Sequence, residues 1–378
     1  MPGWSEVEGA FNDAVERGAI PGATVVVRRG AECVFEGAFG FRSLVPERTP
    51  MRLGTVFDLS SLTKPLATTV AVMILARDGK LRLDDRVTRF FPNFGVHGKN
   101  TVTFRHLLAH CSGLAAWHPF YQRVAEIERA GRVNFMASYG AKEYVYEEIH
   151  REKPEAPPGT KTIYSDLNFI ILGEAVEQVA GVALNRFCRD KIFQPLGLRT
   201  TDFIDLSLVR SRRLEPVADM FAPTEICPSR KRLLVGEADD ENCYAMGGVA
   251  GHAGLFAPAR EVDAIARELI ACWAGRAGLV PQKVIREFWT RDRTVKDSTW
   301  ALGWETPSLQ GSSSGRHFSS GALGHLGFTG TSIWIEPERE IAVTLLTNRV
   351  HPRRDNQAIR EFRPKIHDLI MEALGAAA

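Results

Sequence analysis

Strand-like segments sit near both ends of this 378-residue chain, with a long helical stretch between them. Gly22–Arg28 and Glu32–Gly40, joined at Arg29-Gly30-Ala31, read as a β-hairpin: β-branched and aromatic residues bounded by a glycine turn. The pattern returns late, at 300–305, 324–328, 331–335 and 341–347. From about Gly79 to Glu287 helical periodicity dominates, with helices expected near Phe104–His110, Asn168–Val179 and Val262–Trp273 and long Pro/Gly-rich connections between them. Further helices are expected over Trp4–Arg17, stopped by Gly18, and over about Asn356–Leu374. The arrangement predicts an α+β fold in which one antiparallel sheet is built from both termini and flanked by helices. Residues 1–78 and 288–378 form the sheet subdomain in this reading, 79–287 a mostly helical inserted subdomain, and the active site lies at their junction.

The bulk numbers narrow the function. Net charge is +2 and charged residues make up 24%, with no basic block beyond Arg210–Arg213 and Arg230-Lys231-Arg232, so a nucleic-acid surface is not expected. The longest strongly apolar run, Ala67–Ala76, is about half of what a membrane span needs. The first residues show neither a basic start nor an apolar stretch, so a cytoplasmic location is expected if this start is native. Six cysteines scattered without C-x-x-C spacing favour free thiols over a disulfide framework or a zinc site. A small-molecule substrate is the expected partner, and no cofactor or metal is expected; the oligomeric state is not legible.

At the boundary of the first strand region lies Ser61-Leu62-Thr63-Lys64, heading the apolar stretch Pro65–Ala76. On a helix from Ser61 to Ala76 the hydroxyl and the amine share one face. A serine hydroxyl is a poor nucleophile until a base takes its proton, and a lysine can do so when burial or a positive potential destabilises its ammonium. The start of the helix supplies such a potential. The competing reading is a solvated face or a cap with a nearby lysine; against it, a lysine heading a buried helix needs partners.

Two further segments carry chemistry. Tyr164-Ser165-Asp166-Leu167-Asn168 follows Pro157-Pro158-Gly159 and precedes an apolar helix. Asp166 reads either as an N-cap with Tyr164 a packed aromatic, or as part of a proton relay in which a tyrosine near a lysine acts as acid and base. Gly324–Thr331 is a glycine-rich strand, which marks a bulge or a close approach by a ligand; an acyl substrate lying along it would meet a backbone N–H at its carbonyl oxygen. Gly311–Gly315 matches G-x-S-x-G without the strand-turn-helix setting of a nucleophile elbow. His106 and His110 have the i,i+4 spacing of a metal pair but no intervening Glu, and read as packing and capping residues. His252, in the glycine-rich turn Gly247–Phe256, could border the site.

Taken in order, Ser61-x-x-Lys64, Tyr164-Ser165-Asp166 and His325-Leu326-Gly327 resemble the three motifs of the penicillin-recognising serine hydrolases. That group includes class C β-lactamases, D-alanyl-D-alanine carboxypeptidases and β-lactamase-like esterases. The segments 103–114, 247–256, 328–339 and 347–352 share the resemblance, which thus covers nearly the whole chain. It implies a β-lactamase-like fold with Ser61 as the acylated nucleophile and Lys64 and Tyr164 as the base system. It also implies an oxyanion hole made by the backbone N–H groups of Ser61 and Phe328, and substrate contacts from Asp166, His325 and Gly327.

Two departures shape the expected substrate. Asp166 stands where amide-recognising relatives carry Asn, which removes an NH₂ donor, and His325-Leu326 replaces Lys-Thr, which removes a fixed positive charge and a hydroxyl. Both disfavour anionic amides. The expectation is a carboxylesterase for short-chain or neutral acyl esters, with a D-amino-acid peptidase or weak β-lactamase as the alternative. A non-catalytic ligand-sensing protein is the alternative from another class.

Overall fold

A computed structural model describes residues 3–131 and 133–377. Its main sheet has six strands: β1 (Gly22–Arg29), β2 (Glu32–Ser43), β3 (Thr49–Pro50), β4 (Leu323–Leu326), β5 (Ser332–Glu336) and β6 (Ile341–Thr347), in the order β3-β2-β1-β6-β5-β4. Every pairing is antiparallel, and β1 lies against β6 with Val26 opposite Thr344. The two ends of the chain therefore meet in the middle of one sheet, and the protein has the expected α+β fold. The segment 300–305 forms only isolated bridges, Trp300 to Glu305 and Glu305 to Gly324, which add a short ladder outside β4.

Both faces of the sheet are covered. Helices α1 (Trp4–Glu16) and α5 (Ile359–Ala373) bury Val7, Phe11, Phe362 and Ile366 against Val25, Val27, Trp334 and Val343. On the other face lies α4 (Ala259–Trp273), which packs against β1 and β6 although it belongs to the segment read as the inserted subdomain. A buried ion pair docks it: Arg28 on β1 meets Asp263 at 2.5 Å, with both side chains at least nine-tenths buried. Such a pair needs all its hydrogen bonds to offset desolvation, and Arg28 also donates to the Ala31 carbonyl at 2.7 Å.

The expected single helix from Ser61 to Ala76 is three segments. A 3₁₀ turn spans Ser60–Leu62, a wide π-helical stretch spans Lys64–Thr69, and regular α2 runs only over Val70–Arg77. Pro65 has no N–H to give the ladder, which is one reason the i→i−4 pattern does not start there. The whole stretch from Leu62 to Leu75 is buried. Helix α3 (Asp166–Ala180) packs on both α2 and the π-helical stretch, and so brings the second motif to the first. No single helix among the described residues is long and apolar enough to cross a membrane.

Candidate active site

Ser60 takes a left-handed backbone conformation (φ 48°), and its N–H donates to Asp58 Oδ1 at 2.8 Å, so the turn presents Ser61 at the edge of the buried segment. Lys64, completely buried, directs Nζ to Ser61 Oγ at 3.0 Å. The same Nζ donates to the His252 carbonyl at 3.0 Å and lies 2.7 Å from Asp166 Oδ1. The His252 carbonyl is positioned by the glycine-rich turn, where Gly251 sits so tightly on α3 that a Cβ there would come within 2.0 Å of the Phe169 carbonyl oxygen. Thr68 Oγ1 donates to the Gly251 carbonyl at 2.6 Å and ties that turn to the π-helical stretch.

Tyr164 also stands against Lys64, with Nζ 5.1 Å from its ring centre, and its phenol reaches both Ser61 and Lys64. The residue as a whole remains 39% exposed, so the Ser61–Tyr164 edge opens to solvent. Three rings brace it: His110 at 4.7 Å, Trp300 at 5.5 Å and His325 at 5.9 Å. His110 Nδ1 also accepts from the Ser165 N–H at 3.0 Å, which fixes the turn that carries Tyr164. Burial, together with the Lys64 charge, pushes the His110 imidazole well below its usual range, so it stays neutral.

The electrostatics correct one expectation. Burial pulls the Lys64 ammonium down, but the Asp166 carboxylate and the Tyr164 phenol outweigh it and raise its pKa, so Lys64 rests as a cation. Burial likewise raises the Tyr164 phenol, against the lowering influence of Lys64. Asp166 is therefore the counter-ion of Lys64. It is not the N-cap of α3: Ser165 is, with its hydroxyl accepting from the Asn168 N–H at 3.4 Å.

The third motif borders Ser61 from the sheet edge. The Gly327 N–H donates to the Thr331 carbonyl at 2.7 Å, closing the turn after β4. A Cβ on Gly327 would lie 2.0 Å from Thr331 Oγ1 and 2.6 Å from the Leu59 carbonyl oxygen, so the residue permits close approach of the turn to the Ser61 segment. Among the described residues the N–H groups of Ser61 and Phe328 have no hydrogen-bond partner, which leaves two donors for an oxyanion. His325 is 2% exposed; Nδ1 lies 2.9 Å from the Leu326 carbonyl, which makes it the donor and leaves Nε2 as an unpartnered acceptor. Burial and the nearby Lys64 charge lower its pKa to about 3, so it carries no charge.

Several residues that the sequence reading did not single out complete the site. Asp240 is held ionised, about 2, against the cost of burial by its contact with His252 Nε2 at 2.9 Å. Donor atoms of Asp166, Asp240 and His252 lie within 4.8 Å of one another, a grouping that could suit a metal ion, but the Lys64 ammonium already serves as the cation against Asp166 and the His252 carbonyl. Beneath the nucleophile, Asp58 accepts from Ser60 N–H and, at 2.7 Å, from Asp239 N–H; burial raises it to about 6 and raises Asp239 to about 7.

Ser61 opens on two cavities. One, of about 290 Å³, is lined by Trp117, Asp239, Asp240, Glu241, Phe328 and Arg354. The other, of about 540 Å³, is lined by Trp300, Glu305, His325, Arg349, Arg360 and Arg363. The second changes the expectation drawn from the loss of a lysine at position 325: three guanidiniums from the C-terminal segment bring positive charge to that side. Sequence proximity offered no signal for this, since they follow the third motif by more than 20 residues.

This sheet, with Ser61 beside a buried Lys64 and a flanking tyrosine, is that of a β-lactamase-fold serine hydrolase. The chain belongs to the beta-lactamase family, whose sequence model matches residues 7–366. It is 30% identical over 369 residues to a protein of Escherichia coli K12 provisionally named D-alanyl-D-alanine carboxypeptidase, covering 88% of this chain and 79% of that one. It is 31% identical over 361 residues to an N-acetylmuramyl-L-alanine amidase of Bacillus subtilis 168, covering 88% and 78%. Among solved structures, EstCE1, described as a hydrolase with promiscuous acyltransferase activity, has the same fold: TM-score 0.70, 23% identity, 95% and 98% of the two chains covered.

Proposed function

We propose that the protein hydrolyses acyl compounds through an ester on Ser61, with carboxylic esters of short or neutral acyl groups as the preferred substrates. The observation that carries this reading is the 3.0 Å approach of Lys64 Nζ to Ser61 Oγ, with the Tyr164 phenol against both. Ser61 Oγ bonds to the acyl carbon, its proton passes through the Tyr164–Lys64 pair to the departing alkoxide, and the C–O bond to the alcohol breaks. The N–H groups of Ser61 and Phe328 hold the oxyanion. A water molecule then attacks the acyl carbon, its proton passes along the same pair to Ser61 Oγ, the bond from Oγ to the acyl carbon breaks, and the acid is released.

The preference for esters rests on Asp166, which faces Lys64 and supplies no amide donor to a peptide substrate. A second reading, a peptidase or amidase for substrates bearing a carboxylate, is favoured by the guanidiniums of Arg349, Arg360 and Arg363 and by the names of the relatives in Escherichia coli and Bacillus subtilis. Turnover of p-nitrophenyl butyrate with an initial burst, abolished in Ser61→Ala, tests the nucleophile. Full turnover in that variant would exclude Ser61 as the nucleophile, whereas no turnover by the unaltered protein would leave a ligand-sensing role. Side-by-side rates with nitrocefin and a D-Ala-D-Ala peptide decide between the two readings.

A further inference from the structure

The antiparallel hairpin of β4 and β5 has its turn, Gly327–Thr331, beside Ser61. Its open end lies away from the nucleophile. There Gly321, just before β4, and Pro337, just after β5, line a cavity of about 410 Å³ that shares no lining residue with the two cavities at Ser61.

The walls of this cavity combine indoles and guanidiniums. Trp273, at the end of α4, and Trp289, at the end of the helix Gln282–Trp289, have ring centres 5.9 Å apart. Trp289 is 3% exposed, and its buried Nε1–H finds no acceptor among the described residues, although a buried indole ordinarily has one. Arg291 donates from Nε to Thr306 Oγ1 at 2.7 Å and from Nη2 to the Pro307 carbonyl at 3.1 Å, and Thr306 is itself fixed to the Thr299 carbonyl at 2.6 Å. The guanidinium is thus held in place, yet neither it nor the exposed Arg293 pairs with a carboxylate among the described residues. Burial and the Arg293 charge lower Arg291 from the usual guanidinium range, and no carboxylate opposes them. Glu338 is the one carboxylate on the wall; it is exposed and meets neither arginine.

We propose that this cavity is a second ligand site, separate from Ser61, that takes an aromatic carboxylate: its ring against Trp273 and Trp289, its carboxylate on Arg291 and Arg293. A small anion would meet the guanidiniums and leave the indoles bare, and a neutral arene would do the reverse. The site is independent of the acyl-hydrolase reading, because no group in it touches the nucleophile or its base.

Calorimetric titration of the protein with naphthoate, naphthalenemethanol and acetate tests this without any need for turnover. Naphthoate should bind about tenfold tighter than either of the others, as expected when charge-assisted contacts and ring burial act together. Arg291→Gln should remove most of that advantage, and Arg293→Gln, at an exposed position, should weaken naphthoate about threefold. Glu338→Gln should instead tighten it, by about twofold, since it removes a repelling charge. Naphthalenemethanol should respond to none of the three. Arg360→Gln, in the cavity at Ser61, should leave naphthoate binding unchanged. The two exposed substitutions, one weakening and one tightening, keep the test open if Arg291→Gln fails to fold. Absence of naphthoate binding, equal binding of naphthoate and the alcohol, or a loss on Arg360→Gln with none on Arg291→Gln or Arg293→Gln overturns the proposal.

Discussion

Asp166 Oδ1 lies 2.7 Å from Lys64 Nζ, and this contact decides the protonation state of the lysine that touches Ser61. Without it, burial would pull the ammonium down and favour a free amine; with it, the ammonium is the resting form. The proton of Ser61 must then move through Tyr164 and Lys64 together, as substrate displaces the balance of the cluster.

Asp166→Asn should therefore shift the rising limb of the pH profile of kcat/KM. The carboxylate raises both Lys64 and Tyr164, so its removal lowers both and moves the limb to lower pH by about one to three units. A limb that stays in place would show that Asp166 does not govern the base.

Gly327→Ala should cut kcat at least tenfold and lower stability by about 1–3 kcal/mol, because the added methyl meets the Leu59 carbonyl as well as the Thr331 hydroxyl. The backbone oxygen cannot rotate away, so the turn carrying Phe328 must shift. Steady-state kinetics with denaturant unfolding checks both effects; unchanged kcat would remove the Phe328 N–H from the oxyanion role.

His110→Ala should lower kcat about tenfold with little change in KM. His110 touches no reacting atom; it accepts the Ser165 N–H and packs on Tyr164, so its loss leaves that N–H without its partner and loosens the phenol. A change confined to KM would argue that the ring shapes substrate binding instead.

Asp239→Asn should raise the melting temperature at pH 8 and leave it nearly unchanged at pH 4. Burial raises this carboxyl from 3.8 to about 7, so the wild type has its full stability below the ordinary carboxylate value and loses it as pH climbs through 7, at about 1.4 kcal/mol per unit. The asparagine has no such loss. A melting-temperature difference that does not grow with pH would contradict the assignment.

The clustering of strands near both ends and the positions of the three motifs could be read from local pattern. β1, β2 and β6 show alternating or continuous β-branched residues between turns, and the hairpin at Gly30 forms where expected. Ser61 and Lys64 meet because a three-residue spacing is a local constraint, while Tyr164 reaches them only through the packing of α3. The break of the first helix into 3₁₀, π and α segments was not legible, because it depends on how Pro65 and Ser60 are held by Asp58 and the glycine turn.

What the sequence determined by itself was the chemistry available at each motif: a hydroxyl, an amine, a phenol and a glycine turn in a chain whose termini carry the strands. Tertiary structure decided their charge states and surroundings. Asp166 became a counter-ion because α3 packs on the π-helical stretch; His252 and Asp240 joined the site from the same fold of loops; and Glu305 and the arginines came together at one sheet edge from segments with no local signature. Electrostatic partners are chosen by distance in space, and in this chain those distances are closed by residues more than a hundred positions apart, such as Lys64 and Asp166.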